Sequence, residues 1–189
     1  MKWQKYFGLA AIACSAHALG IEVEPYSEPK TEETSEFQDF FAQVAPKVFV
    51  SGQPSEAALK ALRDEGVTQV ISLRTSREMD DRAIVPFDEA AVVAELGMDY
   101  VHIPLGGPQT PYTADGLAKF AAAVARSEGP VLLHCTVAWR ASHMWAAYLV
   151  AHQGFSVADA VAYGQQMNMG GYPFAELLGR SVRLEPVSP

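Results

Sequence analysis

The segment VLLHCTVAWRAS, residues 131–142, determines the fold class that we predict for this chain. Its first three residues are branched and apolar, which is typical of a short buried strand. A helical pattern follows from Ala141 to about Gln153, where a glycine ends it. The segment is therefore predicted to form a strand, a tight loop and a helix, with Cys135 on the loop.

Strand and helix patterns alternate along the rest of the chain. Strands are predicted at residues 48–50, 67–73 and 100–103, and helices begin near Ser55, Asp88, Thr113 and Ser156, with a last helical turn after Pro173. A charged loop is predicted from Arg74 to Arg82. This order predicts an α/β, three-layer fold with a small, mainly parallel four-stranded sheet flanked by helices. Ligands of such sheets bind beyond the carboxyl ends of the strands, which is where Cys135 lies.

The termini differ in composition from this central part. Lys2 and Lys5, an apolar run and the small-residue site at 16–18 predict a signal peptide over residues 1–18, and hence export to the periplasm. The run is too short to span a bilayer, so we expect no membrane-spanning segment in the mature form. Anchoring as a lipoprotein through Cys14 is the alternative. We predict an acidic flexible spacer at 19–36, one folded domain at 37–182 and a tail at 183–189.

Charge and cysteine content limit the possible partners. The chain has 14 basic and 22 acidic side chains and a net charge of −8, which disfavours nucleic acid as a partner. Removal of a signal peptide would leave Cys135 as the single cysteine, and one thiol cannot form an internal disulfide. The sequence does not indicate the oligomeric state.

Cys135 and Arg140 share the loop at the start of the predicted helix. Backbone N–H groups and the positive end of a helix favour an anion there, and the same field favours a thiolate over a thiol. A thiolate is a nucleophile towards phosphorus or sulfane sulfur, and a guanidinium can bind two oxygens of the reacting group. The alternative is a buried structural cysteine beside an arginine that pairs with a surface carboxylate.

A family resemblance rests on four parts of the chain. One is the set His134, Cys135, Arg140 and Ser142, and the others are Ser51-Gly52-Gln53-Pro54, Gly66 to Arg74, and Tyr100 to Pro104. Together they resemble the bacterial phosphatase-like family related to dual-specificity and tyrosine phosphatases, in the branch with four residues between Cys and Arg. The similarity covers roughly residues 44–168. It implies a phosphatase fold, a cysteinyl-phosphate intermediate, and neither a metal nor a cofactor.

The resemblance also assigns roles. It makes Cys135 the nucleophile and Arg140 the clamp on the phosphoryl oxygens, with a phosphorylated protein or a small phosphomonoester as substrate. The phosphate-binding group that it implies comprises Thr136, Val137, Ala138, Trp139 and Ser142. Ala138 stands where such loops often have glycine, so a positive φ there would cost about 1 kcal/mol or more.

Two alternatives to a phosphatase stay open. The four-residue interval between Cys135 and Arg140 also matches rhodanese-like sulfurtransferases, and an anion-binding module without catalysis would need the same loop. His102, His143 and His152 show no metal-ligand spacing, so no metal site is predicted.

The sequence leaves the general acid open. Phosphatases of this type protonate the leaving oxygen with an aspartate on a neighbouring loop, but residues 104–112 contain no carboxylate. Asp115 is the nearest candidate, although a carboxylate is also common in a first helical turn. Further candidates at the same sheet edge are Glu78, Asp80 and Asp81. Without an acid, aryl phosphates would be better substrates than alkyl phosphates.

Overall fold

The protein is built around one five-stranded sheet. A computed structural model describes residues 35–182, with strands β1 (Phe41–Ala45), β2 (Val48–Ser51), β3 (Gln69–Ser72), β4 (Asp99–His102) and β5 (Val131–His134). Their order across the sheet is β1-β2-β5-β3-β4, and all neighbours are parallel except β1 and β2. The α/β class is confirmed, and β5 lies at the centre of the sheet.

The predicted number of four strands was wrong, because β1 adds an antiparallel strand at the edge. Its inward residues Ala42 and Val44 are buried, while Gln43 between them is exposed. Alanine and glutamine have little intrinsic preference for strands, so pairing with β2 rather than local propensity forms β1.

Seven helices complete the described part of the chain: α1 (Glu56–Asp64), α2 (Ser76–Asp80), α3 (Glu89–Glu95), α4 (Ala114–Arg126), α5 (Trp139–His152), α6 (Val157–Gln165) and α7 (Phe174–Leu178). The predicted starts near Ser55, Thr113 and Ser156 are confirmed, because each hydroxyl accepts a hydrogen bond from an N–H of the first turn. Helix α5 begins two residues earlier than predicted, so Arg140 lies in its first turn.

The charged loop predicted from Arg74 to Arg82 contains the short helix α2. Thr75 and Glu78 form a capping box, in which each side chain binds the backbone N–H of the other residue. This capping box stabilises α2, although none of the residues of the helix is buried. The helix fixes the direction of the Glu78 side chain.

The sheet has a separate apolar core on each face. Val70 of β3 and Leu132 of β5 pack with α1 and α3 on one face. Ile71 and Leu133, the next residue in each strand, pack with α4, α5, α6 and α7 on the other. This alternation of side chains places His134 on the same face as Leu132, towards α3.

Several predictions concern residues outside the described range of 35–182. These are the signal peptide at 1–18 with its alternative anchor Cys14, nearly all of the spacer at 19–36, and the tail at 183–189. None of the helices within residues 35–182 combines the length and the apolar composition needed to cross a bilayer.

Candidate active site

Cys135 lies directly after the central strand β5, and its side chain is buried. Its backbone N–H donates to the carbonyl oxygen of Ser51 at the end of β2, with an N–O distance of 3.3 Å. The loop that follows is held against the Ser51–Pro54 segment, where the Gln53 N–H donates to the Thr136 carbonyl at 2.9 Å. A side chain at Gly52 would overlap the carbonyl oxygens of Gln38 and Thr136, so only glycine fits this approach.

The carbonyl groups of the loop bind partners outside it. Thr136 accepts from the backbone, as described, and the Val137 carbonyl accepts from Nδ2 of Asn168 at 2.9 Å. The first N–H groups of α5 have no acceptor within the helix, because the chain enters the helix there. Because the carbonyl oxygens of this loop bind partners outside it, the N–H groups at the start of α5 are left to bind an oxyanion.

Ala138 has φ of 62° and is fully buried, so the backbone cost considered for this position applies in the structure. Ser142 lies in the first turns of α5, and its hydroxyl donates to the Trp139 carbonyl at 2.8 Å. Its predicted contribution to phosphate binding stays a prediction. Trp139 packs edge to face against Tyr112 and thereby forms part of the wall beside the loop.

Arg140 is the most extensively hydrogen-bonded side chain of the loop. Its two terminal nitrogens donate to the Glu78 carboxylate at 2.8 and 2.6 Å, and further bonds reach the Leu105 carbonyl at 2.9 Å and the Thr136 hydroxyl at 2.8 Å. Within residues 35–182 its Nε–H has no acceptor. The guanidinium is therefore fixed in orientation with one N–H free for a ligand oxygen.

Glu78 provides the carboxylate that holds Arg140. Burial alone would raise the pKa of Glu78, but hydrogen bonds from Arg140 and from Thr75 outweigh this and hold the pKa well below its usual range. A carboxylate that stays ionised cannot donate a proton near neutral pH. Glu78 therefore positions Arg140. Of the candidate acids in the charged loop from Arg74 to Arg82, it is not the one that donates the proton.

A buried chain of polar side chains extends from Glu78 beneath the loop. Arg74 is buried, with Nε 3.8 Å from Oε1 of Glu78 and a terminal nitrogen 2.8 Å from Oε1 of Gln53. The Gln53 amide donates to Glu89 of α3 at 2.5 Å. Burial lowers the pKa of Arg74, although Glu78 opposes this. Arg74 thereby joins the Ser51–Pro54 segment to Glu78 of α2.

His134 ends this chain. Its Nε2 lies 2.9 Å from Oε1 of Glu89, and both side chains are almost completely buried. Burial would raise the pKa of Glu89, but the charge and the hydrogen bond of His134 outweigh it, so the pKa is lowered. His134 faces α3, on the opposite side of the sheet from α5, as the alternation of side chains along β5 requires. Glu89, 45 residues away in sequence, could not be identified as its partner beforehand.

The other candidate acids are exposed side chains. Asp115 lies in the first turn of α4, is 72% exposed and pairs with Lys119 at 2.8 Å. Asp80 and Asp81 are exposed at the end of α2. No described contact joins any of these three carboxylates to Cys135 or Arg140, and the role of Asp115 stays a prediction.

Among residues 35–182, no group of three or more His, Cys, Asp or Glu side chains could hold a metal ion. The site combines a buried thiol, a fixed guanidinium and a loop suited to an anion. On a mainly parallel sheet, these features define a domain of the dual-specificity and tyrosine phosphatase class.

Comparison with known families gives the same class. The chain belongs to the family described as DSP-PTPase phosphatase fused to NAD+ kinase, whose model matches residues 19–177. The site residues Cys135 and Arg140 lie inside the matched range.

Individual relatives are more distant. The beta-lactamase hydrolase-like protein of Agrobacterium fabrum is 30% identical over 99 residues, which is 52% of this chain and only 22% of that protein. A DUF442 protein of Shewanella putrefaciens CN-32, itself a predicted phosphatase, has 30% identity and a TM-score of 0.57, covering 75% of this chain and 89% of the other. PTPMT1 has a TM-score of 0.60 over 74% of this chain and 92% of its own, but its 19% identity indicates a shared fold alone.

Proposed function

We propose that this chain hydrolyses phosphomonoesters through a covalent intermediate on Cys135. The Cys135 thiolate attacks phosphorus, the bond to the ester oxygen breaks, and the alcohol or phenol leaves with a proton. Water then attacks the cysteinyl phosphate, the S–P bond breaks, and phosphate and the thiolate are released. No metal or cofactor takes part in this scheme.

The observation that carries this proposal is the arrangement of Arg140 on the loop of Cys135. Glu78, Thr136 and Leu105 fix the guanidinium, so its orientation does not have to be established when the substrate binds. The free Nε–H and the N–H groups at the start of α5 supply donors for the phosphoryl oxygens. Thr136 to Trp139 would form the rest of the cradle.

The substrate that we propose is a phosphorylated protein or a small phosphomonoester. Aryl phosphates need little help for the leaving group, and no carboxylate of the described residues lies against Arg140 except the ionised Glu78. We therefore expect phosphotyrosine-like esters to react faster than alkyl esters.

The test is hydrolysis of p-nitrophenyl phosphate by the reduced protein. We expect Cys135→Ser to lose at least about 10³-fold in kcat, because a hydroxyl is a much weaker nucleophile than a thiolate at neutral pH. Glu95→Gln, an exposed change in α3, is the control and should keep full activity. Thiosulfate-to-cyanide transfer without phosphate release would favour a sulfurtransferase, and phosphate binding without either reaction would favour a binding module.

We also propose that the protein acts in the periplasm, on the basis of the predicted signal peptide at residues 1–18. Expression of the full chain with cell fractionation and N-terminal sequencing tests this. A periplasmic product that begins near Leu19 is expected. A product in the membrane fraction that begins at Cys14 would support the lipoprotein alternative, and an uncleaved cytoplasmic product would refute export.

A further inference from the structure

The proposed reaction needs a proton for the leaving oxygen, and among the described residues no carboxylate other than the ionised Glu78 contacts Arg140. Glu78 is ionised and bound to Arg140, and Asp115 is exposed and paired with Lys119. Residues 104–112, in the loop between β4 and α4, contain no carboxylate. They do contain a phenol, Tyr112, near the end of the loop.

The hydroxyl of Tyr112 lies beside Gly106 and near Arg140. A Cβ atom placed on Gly106 would be 2.6 Å from the Tyr112 hydroxyl oxygen and 3.7 Å from Cδ of Arg140. The phenol and the arginine therefore flank the same point, and the absence of a side chain at Gly106 leaves room for the hydroxyl. The carbonyl of the preceding residue, Leu105, accepts a hydrogen bond from Arg140 at 2.9 Å, which ties the loop to the guanidinium.

The ring of Tyr112 is held while its hydroxyl is free. It packs edge to face against Trp139, with ring centroids 6.3 Å apart, and against Tyr172, at 5.8 Å. Trp139 is the first residue of α5 and directly follows the loop after Cys135, so the phenol is positioned relative to that loop. Within the part of the chain that the structure describes, the Tyr112 hydroxyl has no hydrogen-bond partner.

The surroundings of Tyr112 also keep its proton in place. Burial raises the pKa of Tyr112; the positive charge of Arg140 opposes this, and the negative charge of Cys135 adds to it. The hydroxyl is consequently protonated at neutral pH, and as a weak acid it donates its proton most readily to a leaving oxygen more basic than a phenolate.

We propose that Tyr112 is a catalytic residue that protonates the leaving oxygen of the substrate, an inference that rests on the proposed function. As the P–O bond breaks, the ester oxygen takes the phenol proton while Cys135 binds phosphorus. The Tyr112 phenolate then accepts a proton from the water that attacks the cysteinyl phosphate, which restores the phenol. Both steps use the same group in opposite directions, as general acid and then as general base.

The test measures kcat/KM of the wild-type chain and of Tyr112→Phe for a series of aryl phosphates. The leaving groups range from strongly acidic nitrophenols to phenol itself, and an alkyl phosphate extends the series to a more basic leaving oxygen. Tyr112→Phe keeps the ring contacts with Trp139 and Tyr172 and removes only the hydroxyl. We expect little change for the most acidic phenol, a small loss for phenyl phosphate and a loss of about 10²-fold for the alkyl phosphate, so that the dependence of rate on leaving-group acidity becomes steeper.

Two further variants make the result specific. Tyr172→Phe removes a hydroxyl from the neighbouring ring and should leave this dependence unchanged. Asp115→Asn tests the competing carboxylate: a steeper dependence there, with none in Tyr112→Phe, would overturn the assignment. Equal losses for all esters in Tyr112→Phe would also overturn it, since they would indicate a structural role. Failure of the wild-type chain to hydrolyse any ester would instead refute the proposed function.

Discussion

Glu78 connects three features of the site through one carboxylate. It completes the capping box of α2, binds both terminal nitrogens of Arg140 and accepts a hydrogen bond from the Thr136 hydroxyl at 2.9 Å. A side chain with these partners fixes the guanidinium before any substrate arrives. The loop and α2 are thereby joined at the point where the phosphoryl group would bind.

We therefore predict that Glu78→Gln lowers kcat/KM for aryl phosphates by roughly 10- to 100-fold. The amide can satisfy only one of the two Arg140 nitrogens, so the guanidinium is no longer held by a bidentate pair. Asp80→Asn changes an exposed carboxylate of the same helix and serves as the control, with activity near that of the wild type. Steady-state kinetics with an aryl phosphate measure kcat/KM of both variants. Equal values for Glu78→Gln and Asp80→Asn would contradict the positioning role of Glu78.

Ala138 shows how the backbone of the loop limits its sequence. At φ of 62° a residue with Cβ is strained by roughly 1–2 kcal/mol, which glycine would avoid. Glycine would also remove a fully buried methyl group that is worth about 0.8 kcal/mol, so Ala138→Gly should change the free energy of unfolding by less than about 1 kcal/mol. Ala138→Val should destabilise by about 3 kcal/mol, because a β-branched side chain suits neither the φ nor the packed site. Urea unfolding of the three proteins measures both changes, and equal stability of the Gly and Val variants would refute the explanation.

At the scale of elements, the buried pair of Glu89 and His134 attaches α3 to the end of β5, next to the nucleophile. The folded-state pKa of Glu89 lies below its ordinary value of 4.5. Between these two values the unfolded chain binds more protons, so stability rises with pH there and is lost as the pH falls through the folded-state value. The pair thus stabilises the fold at neutral pH and contributes progressively less in acid.

We predict that Glu89→Gln destabilises the protein by about 3 kcal/mol at pH 7. The substitution leaves the buried His134 without its carboxylate partner. It also replaces an oxygen that can accept from the Gln53 amide with an NH₂ group that cannot. Chemical unfolding from pH 7 down to pH 3 should show the difference from the wild type narrowing with acid. Glu95→Gln, an exposed change in the same helix, should follow the wild type throughout. A difference that stays constant with pH would contradict an ionised Glu89.

The sequence predicted the elements whose signals are local. Ser55 and Thr113 show helix starts by their own side chains, and the Cys135 loop follows from one strand–helix junction. What it did not predict depends on contacts between distant residues: β1 needs β2, and the partner of His134 is 45 residues away. Tyr112 was missed for the same reason, since only the folded loop brings its hydroxyl beside Arg140.

At the scale of the whole molecule, local and long-range electrostatics act in opposite directions on a phosphorylated substrate. Arg140 and the start of α5 attract the phosphoryl group at short range. The chain as a whole has a net charge of −8 and repels an anionic substrate at a distance. Salt screens the long-range part first, because the Debye length is about 10 Å at 0.1 M ionic strength.

This predicts selectivity by the residues that surround the phosphate. We compare two phosphotyrosine peptides, one with lysines and one with glutamates on either side of the phosphotyrosine. At low ionic strength the lysine peptide should have a kcat/KM about 10-fold higher, because a negatively charged protein attracts its positive charges. Salt should lower kcat/KM of the first peptide and raise that of the second, so that the two converge. The kcat values provide the internal control, since they describe the bound complex and should depend little on the flanking charges. If salt shifts kcat/KM of both peptides in the same direction, the short-range field of Arg140 governs approach, and the net charge of the chain has no part in choosing the substrate.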